Sequence, residues 1–377
     1  MPNDLSFAMR AWRHHLHAHP ELSCHEAATA AYVCAQLGAL GVPHWGGVGG
    51  HGVVGVIERG SGGRAVGLRA DMDALPILET TGLGHASRHQ GVMHACGHDG
   101  HTASLLGAAR ALLADEGWRG RVVLVFQPAE EGFGGAEAML RDGLLTRFPM
   151  ERIFGYHNWP GLNAGEVVLH EGPCMAGAVN FEIALTGRAA HAAMPHLSAD
   201  PVQGLAQLIL ALNGVVARNL DPLAAGVISV CTLKAGEARN QVPQSAAMGG
   251  TMRALTPEVM ALLRRRVVAL AEGVAAANGL EAAVALFSAL EPTINHGPEA
   301  ALAARAAKQA GLHVRRDVPP SMAAEDFGRF LAEIPGAYAW IGNGGSAPLH
   351  NPAYDYNDEI LPVAASYYVA VAKAALA

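Results

Sequence analysis

The stretch Met93-His94-Ala95-Cys96-Gly97-His98-Asp99-Gly100-His101 packs four potential metal ligands and an aspartate into one short segment. Cys96 and His98 stand two apart, so in extended backbone both side chains project to one side and can grip one ion or two neighbouring ions. A lone Cys-x-His is more often a buried structural cysteine beside helix-capping polar residues. Here the density of ligands, and their continuation elsewhere among nineteen histidines, favours metal.

Further groups recur just after apolar runs. Asp71-Met72-Asp73 ends one such run; alone it is a turn signal, but beside a metal either aspartate suits the role of orienting a ligand histidine. Gln127-Pro128-Ala129-Glu130-Glu131-Gly132 follows the strongest apolar run in the chain. Consecutive side chains in extended backbone point apart, so one glutamate can bind an ion while the other faces a water, the division that metal-assisted hydrolysis needs. The competing reading is a solvated acidic turn. His157 and His350 each follow an apolar run and become ligand candidates because Cys96, His98 and Glu131 fill only part of two coordination shells. Asn240 and Arg253 offer an amide and a cation, groups suited to a carboxylate, although a lone strand arginine is more often a surface cation. Gly47-Val48-Gly49-Gly50-His51-Gly52 satisfies G-x-G-x-x-G, but a helix precedes it and a strand follows, the reverse of a dinucleotide site.

The elements that must hold these groups alternate. Ser23 and Glu26 have capping-box spacing before a helix over 27–40. Strands are expected over 53–57, 65–70, 122–126 and 153–156, and helices over 101–113 and 135–145. Such alternation predicts an α/β fold with helices covering a central sheet, and ligand groups where its strands end. After Gly177 the order becomes strand, helix, two strands, helix, strand, the β-α-β-β-α-β order of a ferredoxin-like α+β unit. The first style resumes near 338–341, with a final helix from Leu361. The expected division is residues 1–176 and 290–377 as a discontinuous catalytic part, with 177–289 inserted.

Composition sets limits. With 51% hydrophobic and 16% charged residues, the 377-residue chain has ample core material for two domains. A net charge of −7 and no run of five or more Lys or Arg argue against nucleic-acid or membrane partners and for a small molecule. No basic-then-apolar leader begins the chain, and no apolar run reaches a bilayer-spanning length. Five scattered cysteines (24, 34, 96, 174, 231) suit reduced thiols. A cytoplasmic location is expected.

Taken together, these residues resemble the M20 metallopeptidase family, and within it the branch of hippurate hydrolases, bacterial N-acyl-amino-acid amidohydrolases and plant auxin-conjugate hydrolases. The resemblance runs through Leu16-His17-Ala18-His19-Pro20-Glu21-Leu22, Arg69 to Pro76, the Cys96 segment, Gln127 to Gly132, His191 to His196, Ala324-Glu325-Asp326-Phe327, and Leu349-His350-Asn351 with Tyr354. It implies a catalytic α/β domain interrupted by a lid that also forms a dimer interface. It implies two divalent ions (manganese, zinc, cobalt or nickel) on Cys96, His98, Glu131, His157 and His350, and Glu130 as general base. By resemblance, His191 enters the partner subunit's site to stabilise an oxyanion, and Asn240 and Arg253 bind a substrate carboxylate. Asp71, Asp73 and Glu325 are supporting residues. The implied reaction is amide hydrolysis of N-acyl amino acids. A dipeptidase or aminopeptidase, with Glu325 facing the substrate ammonium, is the alternative; a non-catalytic metal or amino-acid binding protein is a remote one.

Overall fold

The computed structural model describes residues 3–60, 63–132 and 134–377; Met1 and Pro2 of the start segment lie outside that range. Two compact units emerge: Met1–Cys174 with Ile294–Pro319 and Asp326–Ala377, and Met175–Thr293 with Pro320–Glu325.

The first unit is built on an eight-stranded sheet of β1 (His44–Val48), β2 (Gly52–Arg59), β3 (Ala65–Asp71), β4 (Gly120–Gln127), β5 (Arg152–Pro160), β6 (Val167–Leu169), β7 (Val314–Arg315) and β8 (Gly336–Gly344). Their spatial order is β1-β2-β4-β3-β5-β8-β6-β7. The middle four run parallel, while β2 and β6 lie antiparallel against β4 and β8. The sheet is therefore mixed, within the α/β class that the alternating pattern predicts. In β4 the run from Val122 to Gln127 is buried throughout, as a strand covered on both faces requires.

Helices α1 (Asn3–Ala18), α2 (Ala27–Ala39), α3 (His98–Ala114), α4 (Gly135–Arg141), α5 (Gly297–Gln309) and α6 (Leu361–Leu376) belong to the unit, with the short helices Leu144–Arg147 and Gly328–Leu331. α3 packs against both α1 and α6. The segment Asp358–Leu376 is apolar enough to cross a membrane by length and composition, but half of it is buried inside the fold, where Tyr367, Tyr368 and Val371 join the core. It is a core helix. The capping box expected at Ser23 and Glu26 does not form: Ser23 Oγ donates to Asp73, and Glu21 caps α2, its carboxylate accepting from the N–H groups of Ala28 and Thr29 and from the Thr29 hydroxyl.

The second unit has strands Gly177–Thr186, Gly226–Ala235, Ser245–Ala254 and Glu281–Leu290, all antiparallel, with helices Pro201–Asn219 and Pro257–Ala277. Asp200 and Thr256 cap these helices at their N-termini. Leu205, Leu208 and Leu212 of one helix and Leu263, Val267 and Ala271 of the other share a core with Phe181 and Ile183 of the first strand. The expected boundaries are corrected in detail, because 320–325 belongs to this unit. Met175 bridges Ser321, Ala176 N–H donates to the Ala323 carbonyl, and Thr293 Oγ1 donates to the Glu325 carbonyl.

Candidate metal centre

Each parallel strand delivers a candidate group at its carboxyl end, the edge where open α/β sheets bind ligands. β3 ends in Asp71 and leads to Asp73, β4 leads to Glu130 and Glu131, β5 carries His157 and Asn158, and the loop after β8 carries His350.

Cys96 and His98 flank Gly97, which has φ 88° and begins α3. A Cβ at Gly97 would sit 2.1 Å from Asn158 Oδ1 and 2.6 Å from the Tyr354 hydroxyl, so only glycine fits between the two candidate ligands. His98 is fully buried; its Nδ1 donates to the Asp73 carbonyl at 2.9 Å, which leaves Nε2 as the nitrogen available to an ion. Among the described residues that Nε2 has no hydrogen-bond partner; it lies 3.9 Å from Glu131 Oε1, which also has none there. Cys96 Sγ stands 3.3 Å from His157 Nε2, and His157 Nδ1 donates to the Asn158 carbonyl. His350 Nε2 lies 3.4 Å from Glu131 Oε1. Two triads share Cys96, Cys96–His98–His157 and Cys96–Glu131–His350, with the ligand atoms of each within 4.8 Å of one another; a further group joins His98, Glu130 and Glu131.

Backbone strain marks the same place. Ala129 (φ 53°) and His350 (φ 61°) are two of four non-glycine residues with positive φ among those described. Ala129 is held by its N–H to the Glu26 carboxylate at 2.8 Å, and His350 by its N–H to the Ala95 carbonyl at 2.8 Å. The turn at Ala129 splits the two glutamates: Glu131 N–H donates to Asp73, whereas the buried Glu130 accepts from the Asp326 N–H at 3.4 Å.

The electrostatics favour a cation. Burial, then the carboxylates of Glu131, Glu130 and Asp71, push the Cys96 thiol well above its ordinary range. Burial opposes charge on His98, but Asp71, Asp73 and Glu131 override it and lift its pKa to about 10. Burial and the neighbouring His101 hold His157 neutral. Surplus negative charge around the unsatisfied His98 Nε2 and Glu131 Oε1, with the Cys96 sulfur beside them, is the donor set that a borderline divalent ion fits.

Not every histidine of the segment is available. His101 Nδ1 bonds Asp71 at 2.6 Å and its Nε2 accepts the Asn158 N–H at 3.0 Å, so both nitrogens are engaged. His94 is buried with both nitrogens unpartnered, yet it joins neither triad. Asp71, besides binding His101, accepts from Arg69 at 2.7 Å. Trp159, two residues beyond His157 on one strand face, is partly exposed and stacks on buried Trp340 at 3.8 Å. The composition of the chain gives no hint of this stacked pair, because strand tryptophans are commonly core.

Asp99 is tied to α1. His17 Nδ1 lies 2.9 Å from its carboxylate, and Arg13 lies 3.8 Å away. Burial works against charging His17, but Asp99, with Glu79, raises its pKa from 6.5 to about 9. A raised folded-state pKa gives stability that is complete below about 6.5 and lost as pH rises through about 9. The shift corresponds to about 3 kcal/mol. Denaturant unfolding of wild type and His17→Gln across this range is expected to show the two curves converging as pH rises; a constant gap would remove the ionic account.

The remaining candidates lie in the second unit. His191 is exposed, and the two-stranded ribbon Ala190–His191 with Gln241–Val242 pairs it with Gln241, so that Ala192 N–H donates to the Asn240 carbonyl. His191 and Asn240 are therefore neighbours. Arg253 is not with them: Ser245 pairs with Thr186, close to this ribbon, while Arg253 pairs with Ala178 at the other end of the strand. Eight residues of strand correspond to roughly 27 Å. Glu325 is fully buried.

The sequence profile of Peptidase family M20/M25/M40 matches residues 67–374. The chain belongs to this family and is a hydrolase. Among its relatives, the hippurate hydrolase of Campylobacter jejuni is 39% identical over 98% of this chain and 97% of its own length. An N-acetyl-L-cysteine deacetylase of Bacillus subtilis is 40% identical over 95% and 85%. A solved structure of a dinuclear metal-binding M20 peptidase from Bacillus subtilis superposes with a TM-score of 0.88 at 33% identity, covering 99% of this chain and 98% of that one.

Proposed function

We propose that this protein is a two-metal amidohydrolase that cleaves N-acyl amino acids into a carboxylic acid and a free amino acid. The observation that carries the reading is the pair of buried, unsatisfied ligand atoms, His98 Nε2 and Glu131 Oε1, within two triads that share Cys96. Cys96, His98 and His157 would hold one divalent ion, and Cys96, Glu131 and His350 the other. The thiolate favours zinc, while imidazole and carboxylate also accept manganese, cobalt or nickel. When bound, such ions acidify a water and polarise an amide carbonyl.

The chain itself supplies the proton chemistry. Glu130, held by the Asp326 N–H, takes the proton of the attacking water and delivers it to the departing nitrogen. His191 donates to the oxyanion as it develops, from the partner subunit of a homodimer. Asn240 and Arg253 take the substrate carboxylate. Because Arg253 stands at the opposite end of its strand from the His191–Asn240 ribbon, a substrate served by all three draws them from two copies of this chain. The second unit is then both lid and dimer interface. Asp71 and Asp73 orient His101 and His98. Five free cysteines support a reducing compartment, the cytoplasm.

Acyl-amino-acid cleavage is favoured over a dipeptidase activity by the named reactions of relatives near 40% identity. The deciding measurement is hydrolysis of N-benzoylglycine and N-acetylcysteine against dipeptides, each with added manganese, zinc, cobalt or nickel. Faster turnover of dipeptides would reverse the assignment. The contribution of His191 in trans has its own test: inactive His191→Ala and inactive Glu130→Gln proteins, mixed under conditions of subunit exchange, should recover up to about a quarter of wild-type activity, the share expected for one intact site among randomly mixed dimers. No recovery despite proven exchange places His191 outside the partner's site.

A further inference from the structure

A second group of histidines lies on the surface of the first unit, apart from the triads. His15 near the end of α1 and His19 just beyond it are spaced i, i+4, and their rings lie 4.6 Å apart, centre to centre. His19 Nδ1 donates to the His15 carbonyl at 2.8 Å, which fixes the tautomer and leaves the lone pair on Nε2. His89 is set the same way, its Nδ1 donating to the Pro20 carbonyl at 2.9 Å with its ring 6.2 Å from that of His19. The flat stack of His15 on Tyr32, at 4.0 Å and 15°, limits how its ring turns. His15 and His19 border a surface concavity of about 510 Å³ that also includes His14, His85 and Arg88. His14 and His85 are committed elsewhere, to Asp358 and Asp355. Burial, His19 and Arg88 lower the pKa of His15.

We infer that His15 and His19 form a separate surface site for one borderline divalent cation of the nickel, copper or zinc class. A tautomer locked as in His19, with the lone pair left on Nε2, is the arrangement that an imidazole ligand requires. With no carboxylate among the described residues that line the concavity, hard cations such as calcium gain nothing there. Arg88 opposes the cation's charge, so the site is expected to be weaker than the buried centre.

The test uses protein already carrying its full complement of metal. Nickel titration by calorimetry, with metal analysis after gel filtration, should find one more ion per chain in wild type than in His15→Gln/His19→Gln, while hydrolysis is unchanged. Copper added in its place should give an electron paramagnetic resonance spectrum with nitrogen hyperfine splitting that the double variant lacks. Should the double variant unfold, His15→Gln alone, at an exposed position, is expected to weaken nickel binding at least tenfold. Equal nickel uptake by wild type and variants, no extra ion in wild type, or equal binding of calcium would each overturn the site.

Discussion

Glu130→Gln is expected to lower kcat by about 10²- to 10⁴-fold, the range a positioned general acid–base contributes, with metal content unchanged. Gln keeps the length of Glu and can still accept the Asp326 N–H, so the turn after Ala129 should stand. What Gln cannot do is take a proton from water. Because Glu130 lies outside the two triads that share Cys96, its loss should leave both intact. The check is steady-state kinetics with elemental analysis of the same sample. A variant that keeps more than about a tenth of wild-type kcat would remove Glu130 from the proton path, and Glu131, the neighbour freed by the same turn, would have to be reconsidered.

Cys96→Ala should act in the opposite sense, on metal first and activity as a consequence. Changing a group that merely orients a ligand typically costs 10- to 100-fold in metal affinity, and Cys96 stands in both triads. A loss of more than about 100-fold is expected, with both ions affected together. Metal analysis after gel filtration should show well under one ion per chain, and high added manganese or zinc should restore only part of the activity. Folding can be separated from ligation, since Cys96 is buried and small and alanine removes only a sulfur. Metal-stripped wild type and Cys96→Ala should therefore unfold within about 2 kcal/mol of each other, while metal-loaded wild type is more stable than both. Retention of two ions by the variant would mean that the triads are not the ligand sets.

The sequence left parts of the scaffold unread, for definable reasons. Residues 3–18 form a helix whose buried face contains Leu5, Met9 and Leu16 but also Arg13 and His17, so the apolar period that announces a helix is broken. Arg13 tolerates burial because Asp355 and Asp358 reach it at 2.8 and 2.7 Å from the far end of the chain. The helix Gly297–Gln309 is hidden in another way, since its buried positions are mostly alanines. At residue 26, spacing suggested a local cap; instead Glu26 reaches over a hundred residues ahead to the Ala129 N–H, and Glu21 caps the helix. Where local periodicity dominated, as in β4 and the four strands and two helices of the second unit, element type was legible.

Around Cys96 the division is sharp. The sequence alone determined that a dense run of sulfur and imidazole, two adjacent glutamates after a buried strand, and two histidines after apolar runs exist in one α/β chain, because residue type and strand-end position are local properties. Only the tertiary structure decided that His98 presents a free Nε2 while His101, three residues on, is engaged at both nitrogens, because the partners that choose a tautomer, the Asp73 carbonyl, Asp71 and Asn158, come from distant strands. It likewise decided that Asn240 adjoins His191 and Arg253 does not, since strand register converts a separation along the chain into opposite ends of one sheet.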